Sequence, residues 1–397
     1  MKKRSRYRME LSHLSEEFFK LYGNRSDAPV IFFSPGRVNL IGEHTDYNNG
    51  FVFPCALDYG TYLLVRTRND KRLLLNTMNF EFSASLSIDN IVKDSQGRWI
   101  NYPLGVIAGF KKRGISPAGM EMLFYGNIPN GAGLSSSASI EMATAIAVNS
   151  LNGNRLSTLD LIKLSQDAEN TFVGMNCGIM DQFAVGMGRK DRAILLNCDN
   201  LDHEEVPFVL DDYRLIISNT NKRRGLTDSK YNERRAECEQ AVRYLNKKTE
   251  ISHLSQLGIE DLQLLDELIP DITVRKRARH VISENHRVLQ AVEVLKKGDI
   301  TSFGRLMNES HASLRDDYEV TGQELDILSD EARKISGTAG SRMTGAGFGG
   351  CTVSIIRKEQ TDKFIETLGK AYTGATGLQA DFYLPEIGDG ARQIKLF

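Results

Sequence analysis

The run Gly36-Arg37-Val38-Asn39-Leu40-Ile41-Gly42-Glu43-His44-Thr45-Asp46-Tyr47 packs a cation, two carboxylates, an imidazole, an amide and two glycines into a short stretch. That mixture is too polar for a core strand. It suits a site gripping a hydroxyl-rich ligand, because hydroxyls need donors and acceptors at close range. A second chemical stretch is Gly126-Asn127-Ile128-Pro129-Asn130-Gly131-Ala132-Gly133-Leu134-Ser135-Ser136-Ser137-Ala138-Ser139. It follows an apolar strand pattern and precedes a helical one. Glycines before a helix let backbone amides approach an anion, and the helix N-terminus adds unpaired N–H groups and a positive dipole end. No Lys follows the glycines, so this is not a Walker A loop. An ordinary Gly-rich turn with a Ser cap is the plain alternative.

A third cluster, Met343-Thr344-Gly345-Ala346-Gly347-Phe348-Gly349-Gly350, contains a formal G-x-G-x-x-G. A dinucleotide site needs a helix after it. Here Cys351 to Arg357 is apolar and β-branched, so a strand follows and a Rossmann site is rejected. Gly178-Ile179-Met180-Asp181-Gln182-Phe183 offers one carboxylate in an uncharged stretch, either a helix cap or a reactive group. Glu169 shares a helical pattern with Leu161, Leu164, Ala168 and Phe172. On residue type alone it is a surface partner for a cation.

The first run resembles the first signature of the galactokinases, a branch of the GHMP small-molecule kinases. The glycine–serine loop resembles the second GHMP signature and the 343–350 cluster the third, in family order. The resemblance implies a two-domain α+β fold: an N-terminal ribosomal-S5-like domain, a C-terminal α+β domain, and an active site in the cleft between them. It implies ATP-dependent phosphorylation of galactose with Mg²⁺. By the same resemblance Asp181 is the catalytic carboxylate and Arg37 sits beside it. An Arg there keeps the carboxylate ionised and stabilises charge on the transferring phosphoryl group. Glu43, His44, Thr45 and Asp46 are then the sugar-binding residues, joined by Tyr231 and by Gly178, whose backbone would approach the sugar. Gly131, Ala132, Gly133, Leu134, Ser135, Ser136 and Ser137 would wrap the ATP phosphates, with Thr77 near the nucleotide. Ser137 and Glu169 would ligate Mg²⁺, a hard cation preferring oxygen. Trp99 flanks the adenine or fills the core; the core is the expectation. His44 as a metal ligand is disfavoured, because no second His lies at ligand spacing.

The elements that must hold these residues follow from periodicity. Helices are expected over Ser12 to Tyr22, Trp99 to Lys112, Asp228 to Asn246, Ile259 to Leu268, Thr273 to Lys297, Ile300 to Leu314, Thr321 to Ser336 and Thr361 to Tyr372. Strands are expected over Ile31 to Phe33, Met120 to Tyr125, Arg214 to Asn219 and Cys351 to Arg357. Thr61 to Arg66 and Arg72 to Asn76 read as a hairpin about Asn69-Asp70. Pro207 to Asp212 marks a boundary, dividing the chain into domains 1–206 and 207–397.

A formal net charge of -1 gives no broad attraction for nucleic acid or anionic membrane. The basic run Arg275-Lys276-Arg277 lies in a helix that also carries Glu284 and Glu293, which reads as a solvated face. The five cysteines are scattered, with no C-x-x-C pair, which points to reduced thiols in the cytoplasm. Lys2, Lys3 and Arg4 mimic a signal-peptide start, but Glu10, His13, Glu16 and Glu17 interrupt any apolar segment. No membrane span is expected, and a monomer without protein partners is. Two rivals remain: a kinase for N-acetylgalactosamine or a uronic acid, and a non-catalytic galactose and ATP sensor. The intact His44-Thr45-Asp46-Tyr47 and Ser136-Ser137-Ala138 segments argue against each in turn.

Overall fold

The computed structural model describes residues 2–129, 131–222 and 227–395; the side chains of 2–10 and 227–229 are outside the description. Lys2, Lys3 and Arg4, the Asp228 end of the expected helix, and Asn130 of the glycine–serine loop fall on those side chains or gaps.

Helix α1 (Lys2–Tyr22) ends where Gly23 takes φ 76°, the left-handed stop that glycine adopts without strain. Strands β1 (Val30–Asn39), β2 (Phe51–Val52), β3 (Pro54–Arg68), β4 (Arg72–Thr77) and β5 (Ser83–Ser87) precede α2 (Asn101–Lys112) and β6 (Gly119–Gly126). Then come α3 (Ser136–Leu151), α4 (Thr158–Asp167), α5 (Met180–Met187), β7 (Arg192–Asn197) and β8 (His203–Pro207). Ser157 and Asp160 start α4 with a reciprocal capping box. A π-type turn over Ala168–Val173 continues α4 and stops at Gly174, φ 93°.

The chain proceeds through β9 (Tyr213–Asn219), α6 (Thr227–Leu245), α7 (Leu262–Leu268), α8 (Ile272–Lys296), α9 (Ile300–Asp316) and α10 (Gln323–Lys334). It finishes with β10 (Thr338–Thr344), β11 (Cys351–Arg357), α11 (Thr361–Thr376), β12 (Asp381–Tyr383) and β13 (Arg392–Ile394). Asp271 caps α8, accepting from Thr273 N at 2.8 Å, and Asp299 caps α9, accepting from Ser302 N at 2.9 Å.

The first sheet has the order β13-β1-β3-β6-β4-β5 and the second β10-β11-β9-β12; β2, β7 and β8 form a small third sheet. This mixture of segregated sheets and helices is the expected α+β class. One core lies between the first sheet and α2 to α5. A second core spans both halves, joining Val38, Leu40 and Phe53 to Leu215, Val288, Phe303 and Val353. Alternation along β9 and β11 explains this: Ile217, Val353 and Ile355 face that core, while Ile216 and Ile356 face a separate one under α10 and α11.

The expected hairpin about Asn69-Asp70 is corrected. β6 lies between β3 and β4, antiparallel to β3 and parallel to β4. The chain does turn at 69–70, but Gly119 opens β6 directly beneath that turn, where an added Cβ would meet Asp70 O at 2.1 Å. A glycine there lets the apolar strand enter. β13 pairs with β1, so residues 392–394 return to the first sheet. Trp99 packs edge-on against Phe82 and Phe124, at ring separations of 5.7 and 5.0 Å, on the first core.

Candidate active site

Arg37 lies on β1 beyond a register shift between Pro35 and Arg37. Asp181 lies in the first turn of α5, where the helix dipole favours a carboxylate. Arg37 Nε and Nη2 both reach Asp181 Oδ1, at 2.8 and 2.7 Å, while Nη1 donates to Gly133 O at 2.7 Å. Ser135 Oγ donates to Asp181 Oδ2 at 2.6 Å. Both carboxylate oxygens are thus held, and the carboxylate stays partly open to solvent.

Ser135 is the N-cap of α3 in the left-handed region, φ 58°, and its hydroxyl makes no bond to the helix N-terminus. The first-turn N–H groups are left without that side-chain partner, the arrangement that takes an anion. Ala132 and Leu134 bury their side chains in the second core and offer only backbone. The loop is pinned to β1: Arg37 N donates to Leu134 O at 3.2 Å, and a Cβ at Gly36 would meet Leu134 O at 2.6 Å. From the other half, Gly345 crosses Gly133, where a Cβ would meet Gly133 O at 3.2 Å.

Glu43, His44, Asp46, Gly178 and Tyr231 line the same cavity of about 180 Å³ as Arg37, Asp181, Ser137 and Glu169. Glu43 Oε1 accepts from Gly345 N at 2.7 Å, and Oε2 from Asn39 Nδ2 at 3.0 Å. Oε1 also accepts from Arg342 Nη1 at 3.5 Å, so the free lone pair is on Oε2. Burial, then the negative charge of Asp181, raises the Asp46 carboxyl from 3.8 to about 7. His44 is buried, and burial with the nearby His280 lowers it from 6.5 to about 3, so it is neutral. Tyr231 sits on α6 with its ring 5.0 Å from that of Tyr47; it faces the cleft rather than the helix surface.

Two expectations change in kind. Thr45 is fully buried, and its hydroxyl donates to Gly42 O and lies 2.7 Å from Phe51 O. It fixes the turn instead of lining the cavity. Gly178 leaves room for a neighbour: a Cβ there would fall 2.0 Å from Asp46 Oδ2. Its role is to let the Asp46 carboxylate sit where it does. Thr77 ends β4 outside the cavity, beside Asn79, which brackets Gly126 at 2.7 and 2.8 Å.

Glu169 is buried rather than a surface ion-pair partner. Gln182 Nε2 donates to Glu169 Oε2 at 2.6 Å and to Glu141 Oε2 at 3.0 Å. Burial, then the charge of Asp181, raises Glu169, while Ser137 and Cys177 hydrogen-bond to it and oppose the rise. Sequence reading missed Glu141 and Gln182. Their signal was weak: an acidic residue inside an otherwise apolar helix pattern, and an amide directly after Asp181.

The galactokinase galactose-binding signature matches residues 16–67, the GHMP kinases N terminal domain 101–189, and the GHMP kinases C terminal 291–374. The galactokinase of Fusobacterium nucleatum subsp. nucleatum is 55% identical over 389 residues, covering 97% of this chain and 100% of that protein. The chain belongs to the galactokinase family. The galactokinase of Bacillus subtilis is 50% identical over 95% of this chain and 97% of its own length. The crystal structure of Lactococcus lactis galactokinase complexed with galactose superposes with a TM-score of 0.94 at 43% identity, covering 97% and 100% of the two chains. A mevalonate kinase at 18% identity and TM-score 0.66, covering 92% and 100%, shows the shared GHMP fold. The α+β, two-domain GHMP architecture expected from the three signatures is therefore the galactokinase fold seen here.

Proposed function

We propose that this protein transfers the γ-phosphoryl group of ATP to the anomeric hydroxyl of α-D-galactose. The products are ADP and α-D-galactose 1-phosphate, the entry to galactose catabolism by the Leloir route. One observation carries the reading: the Glu43, His44, Asp46 cluster opens onto the same cavity as the Arg37–Asp181 pair and Ser137 at the start of α3. A hydroxyl-binding wall, a carboxylate and an anion-binding helix end thus meet at one point.

The sugar is held by Glu43, His44, Asp46 and Tyr231. Asp181 orients the anomeric hydroxyl and accepts its proton as the new O–P bond forms; ADP leaves with the electron pair of the broken bond. Arg37 holds Asp181 in place and offsets charge on the phosphoryl group in flight. The backbone of 131–137 cradles the phosphates, and Thr77 borders the nucleotide. Ser137 and Glu169 would hold Mg²⁺, which would supply positive charge to offset that of the phosphates. Among the described residues no three His, Cys, Asp or Glu side chains converge as a ready-made metal cage. That suits Mg²⁺, which uses one or two carboxylates together with substrate phosphates. The buried Glu169 carboxylate beside the Ser137 hydroxyl supplies such a ligand set.

The reading extends to a cytoplasmic monomer, organised as domains 1–206 and 207–397, with no nucleic-acid or membrane partner. Five cysteines without a disulfide support a reducing compartment. Among the described residues no helix is long and apolar enough to cross a membrane.

ADP release with Mg·ATP, measured against galactose, N-acetylgalactosamine, glucose and mevalonate, tests the proposal. Highest turnover on galactose is expected. Preferred turnover of N-acetylgalactosamine, or galactose binding without ADP release, overturns it.

A further inference from the structure

The cavity wall behind His44 contains a chain of polar groups that the phosphoryl transfer does not use. Tyr47 Oη lies 2.9 Å from His44 Nδ1. Tyr318 Oη lies 2.7 Å from Tyr47 Oη, and Cys238 Sγ lies 3.2 Å from Tyr318 Oη. The chain therefore runs from the first signature, through the segment after α9, to α6. Its members are clamped. The Tyr318 ring packs, tilted, between His44 and His280 at 4.8 and 4.5 Å, and Arg234 Nε donates to Tyr318 O at 2.8 Å. His44 itself holds φ 65°, with its carbonyl bonded by Asn48 Nδ2 at 3.0 Å. A non-glycine residue keeps that conformation only where its surroundings impose it.

The other ring nitrogen, Nε2, is buried and has no partner, on a residue that lines the sugar cavity. A neutral imidazole protonated on Nδ1 would offer only a lone pair there; one protonated on Nε2 would offer a donor. The chain has two possible polarities. In one, Nδ1–H donates to Tyr47 and the chain ends with Tyr318 donating to sulfur, a weak acceptor. In the other, the Cys238 thiol donates to Tyr318, Tyr318 to Tyr47, and Tyr47 to Nδ1. The second places both hydroxyl protons on stronger acceptors, oxygen and nitrogen.

We propose that Cys238, Tyr318 and Tyr47 fix neutral His44 as its Nε2–H tautomer, making it a hydrogen-bond donor to one hydroxyl oxygen of the sugar. Tyr47 and Tyr318 are positioning residues that set substrate specificity through His44. The proposal rests on the galactose reading for the identity of the ligand, but not for the tautomer.

The test is a two-bond ¹H–¹⁵N spectrum of the full chain with labelled histidine, recorded without sugar at neutral pH. The His44 signal is assigned by its loss in His44→Gln. Protonated Nε2 is expected in the native protein, with a mixture of tautomers in Tyr47→Phe and Tyr318→Phe. Protonated Nδ1 in the native protein, or a tautomer balance untouched by both substitutions, overturns the proposal. This readout stands even if the ADP-release assay is silent on galactose. Kinetically, Tyr318→Phe is expected to raise the galactose KM about fivefold, the scale of one net hydrogen bond, with the ATP KM unchanged. A drop in kcat at unchanged galactose KM refutes it. Monofluoro-galactoses extend the test, because fluorine accepts a hydrogen bond but does not donate one. At the position facing His44, the fluoro sugar is expected to bind better than the deoxy sugar; equal weakness at every position refutes the donor role.

Discussion

Asp46→Asn is expected to stabilise this protein at pH 8 while weakening its grip on galactose. Burial and the charge of Asp181 raise the Asp46 carboxyl from 3.8 to about 7. Between those values the native state holds a proton that the unfolded chain has released. The favourable contribution is complete below about pH 4 and is lost as pH rises through 7. The shift spans about three pH units, so at about 1.4 kcal/mol per unit the ionised carboxylate destabilises the native state by up to ~4 kcal/mol at pH 8. Water in the cavity screens part of that, leaving roughly 1–3 kcal/mol as the measurable gain when Asn replaces the charge at equal size. Thermal unfolding of both proteins from pH 4 to 8 reads it directly. The variant should match the native protein near pH 4 and pull ahead through pH 7. Galactose titration by calorimetry should show about tenfold to hundredfold weaker binding, the scale of lost hydrogen bonds to a charged group. A melting difference that is flat across this range, or that favours the native protein at pH 8, refutes the argument that Asp46 is a strained charge kept for the ligand.

Asp181→Asn should lower kcat by at least about 10²-fold, the usual scale for a positioned acid–base group; steady-state turnover in a correctly folded variant checks it, and near-normal kcat removes Asp181 from catalysis. Gly178→Ala should weaken galactose about tenfold or more, because the new Cβ would overlap Asp46 Oδ2 at 2.0 Å and displace the carboxylate; calorimetry showing native affinity contradicts this. Glu169→Gln should raise the Mg²⁺ concentration for half-maximal velocity about tenfold, as expected on losing an ionised ligand, and a chelator should stop turnover while leaving galactose binding measurable. An unchanged Mg²⁺ dependence removes Glu169 from the metal site.

The residues that line the cavity were legible as a group because they are dense in sequence. Glu43, His44 and Asp46 fall within four residues, and Gly131 to Ser137 form one loop. Helices with a full apolar period were equally plain: α8 and α11 lie within a few residues of their expected limits. What stayed hidden depends on contacts between distant residues. β5 reads Ser-Ala-Ser-Leu-Ser, with little β-branched character, and exists because β4 pairs with it. Sequence order joined β3 to β4, yet register places β6 between them. The Gln182 amide bridges Glu141 and Glu169 across three separate segments, and the weak local signals in them do not show that they meet. Thr45 shows the opposite case. Its position inside a chemical motif suggested contact with sugar, whereas its hydroxyl proton is directed to the backbone carbonyls of Gly42 and Phe51.

The proposed sugar wall also draws on both sides of the proposed boundary at 206/207. Glu43 comes from the first half, yet Gly345 N binds its Oε1 at 2.7 Å and Arg342 lies 3.5 Å away, fully buried. Thr344 Oγ1 and Arg342 Nη1 both donate to Asn39 O, at 3.0 and 3.1 Å. Gly42 N donates to Glu284 Oε1 at 2.9 Å. Burial would raise Glu284, but Arg287, His280 and Arg342 overcome it and hold it down to about 2. Glu43, Glu284 and Arg342 are buried, and breaking one side of a buried charged contact such as Arg342–Glu43 leaves the other uncompensated, at a cost of about 3–5 kcal/mol. The first signature is therefore held in register by residues some 240 to 300 positions later. The phosphate loop is fastened differently, mainly by backbone contacts to Arg37 and by the close pass of Gly345. The glycine cluster at 343–350 touches both: its strand end bonds Asn39 and Glu43, and Gly345 abuts Gly133 of the glycine–serine loop. On the proposed reading a single hairpin would thus set the distance between the two substrates, the quantity that phosphoryl transfer by positioning depends on most.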